Sequence, residues 1–258
     1  MKWISEAARL LRLLLLTPFL FALSAQAQDA KPFSKEQLDQ LTAQVALYPD
    51  SLLAQLLMAT TYPEDFAAAA AWSKAHPEAK GDDAVKMVEN EPWDPSVASL
   101  VAFPEVLITF GGQPDWVRNI GDAFLAQPDD VMDSVQRLRQ KAQAAGNLQS
   151  NEQVKVSMQA PEPAPPSAAQ TVVVQQSAPP PQVIVIEQAQ PSVIFVPAFN
   201  PTVVYGAWPY PAYPPYYWYP PAYAYPYGGA LLGFTAGVII GGALWGNVNW
   251  GRGDVDIN

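Results

Sequence analysis

Regularly spaced prolines constrain the fold of this chain more than any other feature of its sequence. Pro49, Pro63 and Pro77 follow one another at 14-residue intervals, and the segments between them are strongly apolar. Proline is tolerated at the first position of a helix, whereas in a helix interior it costs about 3 kcal/mol. The three prolines therefore predict the starts of helices, and the spacing between them sets the helix lengths.

Capping signals extend this pattern over the region from residue 34 to residue 150. Ser34 and Gln37 have the spacing of a capping box, in which each side chain bonds the backbone of the other residue. Asp94 and Pro95 are suited to the N-cap and first positions of a later helix. Because the alternating pattern typical of strands does not occur here, we predict a compact all-α helical domain over residues 34–150.

The first 27 residues have the organisation of a secretory signal peptide. Three basic residues precede an apolar run over residues 13–23, and Ala25 and Ala27 provide the small residues of a cleavage site. The apolar run is too short to span a bilayer comfortably as a permanent anchor. We therefore expect cleavage after residue 27 and export, with an uncleaved N-terminal anchor as the alternative.

Charge and cysteine content argue against several classes of function. Without residues 1–27, the chain has 11 basic and 23 acidic residues, which leaves a net charge of about −12. Such a field repels nucleic acid, so we expect no nucleic-acid partner. The chain contains no cysteine, which rules out disulfides, thiolate nucleophiles and thiolate metal sites.

The composition changes after residue 150. Residues 151–181 are rich in Pro, Ala and Gln, a composition that buries too little apolar surface to fold, so a disordered linker is predicted. Three β-branched runs within residues 182–206 predict a short β-hairpin or meander, which must dock on another surface to be stable. The next segment, residues 207–227, mixes tyrosine with proline and offers a stiff, amphipathic surface for binding.

An apolar segment over residues 228–246 has a regular spacing of small residues. Glycines recur every four residues, and an aromatic residue follows them: Gly229, Gly233, Gly237, Gly241 and Trp245. On a helix these glycines would form one stripe, as in packed membrane helices, and the tryptophan would lie at the interface. We therefore expect membrane association or a homo-oligomer through this segment. The alternatives are a buried hairpin or a tail folded on the helical domain, since a spacing of four also keeps one face of a strand.

Patterns that indicate catalysis are missing from the sequence. His76 is the single histidine, and neither a nucleophile elbow nor a zinc-binding histidine pair occurs. Paired carboxylates at 64–65, 82–83 and 129–130 are best explained by helix capping. We expect no enzyme activity, no cofactor and no metal, with a carboxylate-dependent hydrolase as the less favoured alternative.

Aromatic residues supply the candidate binding site. Tyr48, Tyr62 and Trp93, together with Asp94, are candidates for a groove that binds a sugar or a peptide. The alternative is that these aromatic rings pack in the core and at helix junctions. We interpret the chain as a non-enzymatic envelope protein whose helical domain binds a protein partner, with a cell-wall glycan-binding module as the alternative function.

Several long motifs resemble a known family. The stretches ALYPDSLLAQLLMATTYP, WDPSVASLVAFP, NPTVVYG and WGRGDV are similar to those of exported bacterial proteins grouped as domain-of-unknown-function family 3300. The resemblance covers most of the mature chain. It implies the periplasm or outer envelope of a Gram-negative bacterium, and it supplies no activity or catalytic residues.

The predicted fold is mainly α, with a helical domain followed by a linker, a short β segment and a glycine-zipper tail. The predicted segments are a signal peptide (1–27), a helical domain (34–150), a linker (151–181), a β-hairpin or meander (182–206), a Tyr/Pro-rich segment (207–227), a glycine zipper (228–246) and a polar tail (247–258).

Overall fold

The computed structural model places most of the chain after the predicted signal peptide. It describes residues 32–160, 182–218, 227–228, 232–240, 247–250 and 254–256. Phe33–Asn258 form one compact unit, and a second unit, Met1–Pro32, lies almost entirely outside the described residues. The predicted signal peptide is therefore outside the described part of the chain.

Helices dominate the first half of the compact unit. Nine occur within the described residues: α1 (Lys35–Thr42), α2 (Asp50–Thr60), α3 (Pro63–Ala75), α4 (Gly81–Met87), α5 (Pro95–Leu100), α6 (Pro104–Gly111), α7 (Pro114–Ala126), α8 (Pro128–Ala144) and α9 (Pro201–Val204).

Proline begins most of these helices. It occupies the first position of α3, α5, α6, α7, α8 and α9, where the missing N–H leaves no intrahelical bond unmade. Pro49 is the residue immediately before α2, and Pro77 lies in the turn between α3 and α4. The proline pattern thus predicted the start of α3 correctly, but Pro77 precedes its helix by four residues.

The predicted caps are present. Ser34 and Gln37 form the full capping box of α1, and the Asp94 side chain accepts a hydrogen bond from the Ser96 N–H. Gly146 adopts a left-handed φ of 76° after α8, and the Asn147 N–H donates to the Ala142 carbonyl at 2.8 Å. That bond is the six-to-one contact of a Schellman motif, which ends α8.

Helix α2 lies at the centre of the core. Its leucines, which face different sides of the helix, are all fully buried: Leu52, Leu53, Leu56 and Leu57. A helix that is apolar all round must be surrounded by other elements, and α2 packs against α5 and α7. A Cβ at Gly121 of α7 would collide with the Thr60 carbonyl, so only glycine permits this close approach.

The helices α1 and α8 are joined by a buried polar network. The Asp39 carboxylate is 1% exposed, and its Oδ1 accepts hydrogen bonds from Ser134 Oγ and Arg137 Nη2, both at 2.6 Å. A buried charge is tolerated only when it is paired and hydrogen-bonded. This network therefore fixes the register of α1 along α8.

Short strands make up the rest of the described chain. They are β1 (Val154–Gln159), β2 (Val183–Gln188), β3 (Val193–Ile194), β4 (Pro197–Phe199), β5 (Tyr227–Gly228), β6 (Leu232–Phe234), β7 (Val238–Ile239), β8 (Asn247–Asn249) and β9 (Asp254–Asp256). Strands β1 and β2 pair antiparallel, as do β3 with β7 and β8 with β9, and a three-stranded sheet has the order β4-β6-β5.

Strand β1 corrects one boundary of the sequence analysis. It lies inside residues 151–181, which were predicted as linker, and its register pairs Val154 with Gln188. The composition of the whole segment concealed a short alternating run, in which Val154 is buried and Lys155 is exposed. Residues 161–181 lie outside the described part, so the predicted linker is untested there.

The strands dock directly on the helices. The Gln136 side chain on α8 makes two hydrogen bonds with the backbone of Ile184 in β2, at 3.0 and 2.8 Å. Farther along the chain, the Asn147 side chain donates to the carbonyl of Val204, which ends helix α9, at 2.9 Å. The helices and strands of residues 33–258 therefore share one core.

Crossing a bilayer requires a helix of about 20 apolar residues. Among the helices of the described ranges, none combines that length with sufficient apolar character.

Candidate functional site

A buried arginine holds the helices and the strands together. Arg139 is fully buried, and its guanidinium donates to the carbonyls of Ala46, Tyr48 and Ile184 at 2.8, 3.0 and 2.8 Å. Its Nη1 also lies 2.7 Å from Asp50 Oδ1. These four acceptors occupy the fork of the guanidinium, so Arg139 has a structural role and is not free to bind a ligand.

Asp50 extends this contact to the end of the chain. Its Oδ2 accepts a hydrogen bond from Trp250 Nε1 at 2.7 Å, and its Oδ1 accepts one from the Ile186 N–H at 3.3 Å. The Trp250 ring lies over the Arg139 guanidinium, 4.7 Å from ring centroid to Cζ. The carboxylate thus joins α2, β2 and the residue after β8.

The last turn of α1 and the turn that follows it are held by side chains from distant parts of the sequence. Trp116 Nε1 donates to the Leu41 carbonyl at 3.0 Å, and the buried Tyr205 hydroxyl donates to the Ala43 carbonyl at 2.6 Å. Burial raises the pKa of Tyr205 well above its ordinary value, so the hydroxyl stays a donor. Together with Arg139, these bonds position Gln44 and Tyr48, which lie in the turn.

The four residues predicted to form a groove are separated in the structure. Tyr48 precedes α2 and Tyr62 follows it, so the 11 residues of that helix set them about 16 Å apart. Tyr62 lies beside Asp94, whose negative charge raises the pKa of the Tyr62 hydroxyl. Trp93 adjoins Asp94 and is half-buried against the core. The structure therefore brings Tyr62, Trp93 and Asp94 together, whereas Tyr48 is buried in the core.

The described glycines of the predicted zipper lie in and beside strands. Gly233 is within β6, where it pairs with Ala198 of β4 and Gly228 of β5. Gly237 lies between β6 and β7, and a Cβ there would come within 2.5 Å of Val193 Cγ1. The helical interpretation is thus wrong for these two glycines, because a strand also presents residues four apart on one face. Gly229, Gly241 and Trp245 lie outside the described residues.

A pocket lies between α6 and β4, and we call it the α6–β4 pocket. Its volume is about 120 Å³. Helix α6 contributes Val106 and Phe110, β4 contributes Pro197 and Phe199, and the turn before α2 contributes Tyr48. A cavity of about 150 Å³ holds benzene, and this pocket is smaller, so it has room for one small side chain such as a branched aliphatic group.

Aromatic rings form one wall of the α6–β4 pocket. Phe110 stacks on Trp116 with 4.4 Å between ring centroids, and Trp218 meets Phe110 edge-on at 5.9 Å. Tyr216 stacks in turn on Trp218 at 5.4 Å. Interlocked rings of this kind lose little conformational entropy on binding, so the wall is pre-organised.

Polar groups interrupt the apolar lining at a few points. Gln44 is 8% exposed, and its Oε1 has no hydrogen-bond partner within the described residues. Glu105 lies at the exposed rim, where loss of hydration raises the pKa of its carboxyl and nearby Lys80 opposes the shift. A mainly apolar pocket with a few polar groups is the usual composition of a binding site.

A second, more open groove runs along the surface beside His76. Its volume is about 790 Å³, and Lys80 and Ile239 contribute to its lining. His76 stacks on Trp72 with 4.3 Å between ring centroids, and its Nδ1 lies 2.8 Å from the Trp72 carbonyl oxygen. Within the part of the chain that the structure describes, no group of three or more acidic or histidine side chains could hold a metal ion.

Sequence reasoning found only one residue of the α6–β4 pocket, Tyr48. The sequence did not indicate Gln44 as a pocket residue, because a glutamine within an apolar run is typical of the polar face of a helix. Trp218 lay in the Tyr/Pro-rich segment, which was assigned a binding role as a whole. The meeting of α6 with β4 depends on contacts between residues about 90 positions apart, which no local pattern reveals.

Comparison with known proteins gives a family but no function. Residues 34–258 match the family described as "Protein of unknown function (DUF3300)". An Escherichia coli (strain K12) protein described as "Uncharacterized protein YacH" is 46% identical over 232 residues, which cover 84% of this chain and 37% of that relative. No solved structure matches the chain. The extent of the family match and the identity to the relative show that this protein belongs to the DUF3300 family.

Proposed function

We propose that this protein is a non-enzymatic, exported cell-envelope protein whose helical domain binds a protein partner. The observation that carries this proposal is the α6–β4 pocket, which has a side-chain-sized volume, an aromatic wall and an open rim. Export is supported by the signal-peptide pattern of residues 1–27.

The size of the pocket favours a protein partner over a small molecule that is bound whole. Pockets for drug-sized ligands measure about 300–1,000 Å³, and the α6–β4 pocket measures about 120 Å³. Protein interfaces, in contrast, concentrate their binding energy in one or a few side chains that fill well-packed pockets. The pocket would therefore receive one anchoring side chain of the partner.

The C-terminal segment provides the second part of the proposal. In this proposal, residues 228–246 associate with a membrane or with a second copy of the chain. Ile239 of β7 supports an external contact, since its side chain is 72% exposed and lies near the exposed Met87 in the surface groove.

Binding to a cell-wall glycan is a second candidate function, and it belongs to a different surface. Tyr62 is 42% exposed beside the Asp94 carboxylate and Trp93. An exposed aromatic ring next to a carboxylate suits a sugar, which offers apolar faces and hydroxyl donors. The substitution Trp93→Ala leaves α6 unchanged. If it abolishes the sedimentation of the protein with isolated cell wall, glycan binding is favoured over partner binding at the pocket.

Site-specific photo-crosslinking in the intact cell tests the partner. A photo-reactive phenylalanine at Glu105, on the exposed rim of the pocket, should yield one discrete crosslinked band in the envelope fraction. The same residue at Lys155, which is exposed on β1, is the control and should not yield that band. Equal bands from both positions, or none from Glu105, would contradict a partner at the pocket.

A further inference from the structure

Two exposed apolar side chains line the open groove beside His76, which we call the α4–β7 groove. Met87 at the end of α4 is 57% exposed, and Ile239 of β7 is 72% exposed, although about 150 residues of chain separate them. Single exposed apolar residues are ordinary, whereas apolar surface gathered from two segments and rimmed by polar groups marks an interaction surface. The α4–β7 groove is therefore a candidate docking surface.

The wall of the α4–β7 groove depends on a close approach of two backbones that only glycine allows. Gly81, the first residue of α4, has a left-handed φ of 62°, and a Cβ there would lie 2.7 Å from the Ile239 carbonyl oxygen. The Gly81 N–H donates to the carbonyl of Ala102, between α5 and α6, at 3.0 Å. These contacts fix α4 against β7 within the fold, so a partner has little of the groove to order on binding.

The charge around the groove limits the kind of occupant. Residues 78–91, which supply much of the lining, include five carboxylates and two lysines, and all seven of these residues are exposed. Lys86 pairs with Asp83 at 3.3 Å, but an exposed ion pair contributes little and an incoming cation can replace it. An apolar segment that carries lysine or arginine would meet complementary charge here, which suppresses acidic partners.

The same charge argues against the other two occupants of such a groove. A second copy of this chain would bring the acidic groove against a molecule whose net charge after residue 27 is about −12. An anionic lipid surface attracts basic segments and would repel this one. A basic, partly apolar segment of another protein is the occupant that the charge favours.

We propose that the α4–β7 groove binds an apolar segment of a partner protein that is flanked by lysine or arginine. The apolar side chains of that segment would contact Met87 and Ile239, and its cations would lie beside the carboxylates of residues 78–91. This inference rests on the proposed partner-binding function, and it assigns the external contact of Ile239 to that partner.

The α4–β7 groove lies close to the α6–β4 pocket. Thr235 lines the pocket and Val238 lines the groove. Three residues of extended chain span at most about 11 Å. One partner can therefore occupy both the groove and the pocket.

Three synthetic heptapeptides test the proposal on the full mature chain. KLLKLLK has apolar and basic residues, ELLELLE exchanges the charge, and KSSKSSK removes the apolar side chains. Binding is followed by NMR of the Met and Ile methyl groups, in which Met87 and Ile239 report on the groove. Met158, which is 58% exposed on β1, is the internal control.

We expect KLLKLLK to bind about tenfold more tightly than either of the other peptides, since each of those lacks one of the two contacts that the groove offers. The shifts should be large at Met87 and Ile239 and small at Met158. Equal affinities, no shift at Met87, or equal shifts at Met87 and Met158 would overturn the proposal.

A charge reversal tests the acidic rim. Glu78→Lys should lower the preference for KLLKLLK over ELLELLE about fivefold, roughly the contribution of one good exposed charge pair. Glu152→Lys makes the same change of net charge at an exposed position just before β1 and should retain the preference. An equal loss in both variants, or no loss in Glu78→Lys, would count against the proposal.

An apolar-to-polar substitution tests the floor of the groove. Ile239→Ser should weaken KLLKLLK binding about tenfold, because the peptide then buries less apolar surface. Met158→Ser, at the similarly exposed methionine of β1, is the control and should bind as the native chain does. Melting temperatures of both variants are measured in parallel, and unchanged binding in folded Ile239→Ser would refute the proposal.

Analytical ultracentrifugation and vesicle flotation identify the other occupants. A dimer that Ile239→Ser dissociates would assign the groove to a second copy, and flotation with phosphatidylglycerol vesicles that Ile239→Ser abolishes would assign it to a membrane. Either result would overturn this inference.

The peptide preference and the crosslink separate this inference from the proposed function. A Glu105 crosslink without a preference for KLLKLLK would overturn the inference and leave the partner-binding function standing. A preference for KLLKLLK without a Glu105 crosslink would support the inference and count against a partner at the α6–β4 pocket.

Discussion

A few buried side chains in this protein supply contacts between distant segments that the small helical core does not make by itself. Arg139 is the clearest case, because one guanidinium bonds three carbonyls and a carboxylate from α2, β2 and the turn between α1 and α2. A buried ion pair of this kind adds little net stability while both of its partners are present. Removing one partner, however, leaves the other charge uncompensated.

Substitution of Arg139 should therefore be severe. Arg139→Leu leaves Asp50 without its cation and three carbonyls without donors, so the free energy of unfolding should fall by about 3–5 kcal/mol. Arg118→Leu removes an exposed ion pair with Asp115 and should change the free energy of unfolding by less than about 1 kcal/mol. Urea unfolding followed by circular dichroism gives both values, and similar losses in the two variants would contradict this role.

Tyr205 allows a narrower test of the same turn. Tyr205→Phe keeps the ring and removes the hydroxyl that donates to the Ala43 carbonyl. The carbonyl would be left buried without a donor, at a cost of about 1–3 kcal/mol. Tyr213→Phe is the comparison at a partly exposed tyrosine, and an equal loss there in urea unfolding would argue against a specific role for the buried hydroxyl.

Glu105 predicts a dependence of stability on pH. Because its pKa is raised in the fold, the folded state favours the protonated carboxyl, and that favourable contribution is lost as the pH rises above about 4.5, the ordinary value. Glu105→Gln should therefore melt at a higher temperature than the native chain at pH 7 and at the same temperature at pH 3.5. Asp122→Asn, at an exposed site, provides the control for general charge effects. A lower melting temperature of Glu105→Gln at pH 7 would contradict the sign.

Among the elements, the strands of the C-terminal half show that a four-residue spacing of glycines is compatible with both a helix and a strand. Residues four apart share a face on a strand, and they lie roughly on one stripe of a helix. Gly233 and Gly237 follow the strand alternative: β6 pairs with β4, while Gly237 permits the approach of Val193 in β3. The choice between the two was made by partners about 35–45 residues away in the sequence.

A methyl group at Gly237 should disturb this pairing. The Cβ of Gly237→Ala would lie 2.5 Å from Val193 Cγ1 and 2.8 Å from the Phe195 ring, so the strands must move apart. Overpacking of this kind costs about 1–3 kcal/mol. Hydrogen exchange should report faster exchange at the Ile240 N–H, which donates to the Ser192 carbonyl. Gly112→Ala, where a Cβ meets only ordinary contacts, should leave that exchange unchanged.

At the scale of the whole molecule, the strands complete the helical core. The Ile184 carbonyl accepts a hydrogen bond from Arg139, and the Trp250 ring lies over the Arg139 guanidinium. The α6–β4 pocket likewise needs both halves, since Gln44 and Phe110 come from one half and Phe199 and Trp218 from the other. The pocket therefore exists only in the complete compact unit.

Truncation tests this dependence. A chain that ends after Ser150 lacks Ile184, Trp250 and one side of the pocket, so it should lose cooperative thermal unfolding and aggregate. Trp250→Phe in the full chain should retain cooperative unfolding and lose about 1–3 kcal/mol, through the bond to Asp50. A soluble, cooperatively folded chain of residues 28–150 would show that the helices do not require the strands.

The sequence by itself determined the local features of this protein and its family. Proline and capping signals located the starts of α1, α3 and α5 because they act through the backbone within one turn of the same helix. Long motifs from both halves of the chain resembled the DUF3300 family, which the comparison confirmed.

Only the tertiary structure decided which segments meet. It placed β1 beside β2, set Tyr48 apart from Tyr62, and joined Gln44 to β4 across about 150 residues of chain. The physical reason is that burial and strand pairing are properties of the assembled core. A glutamine or a glycine has the same local preference whether or not a distant strand covers it.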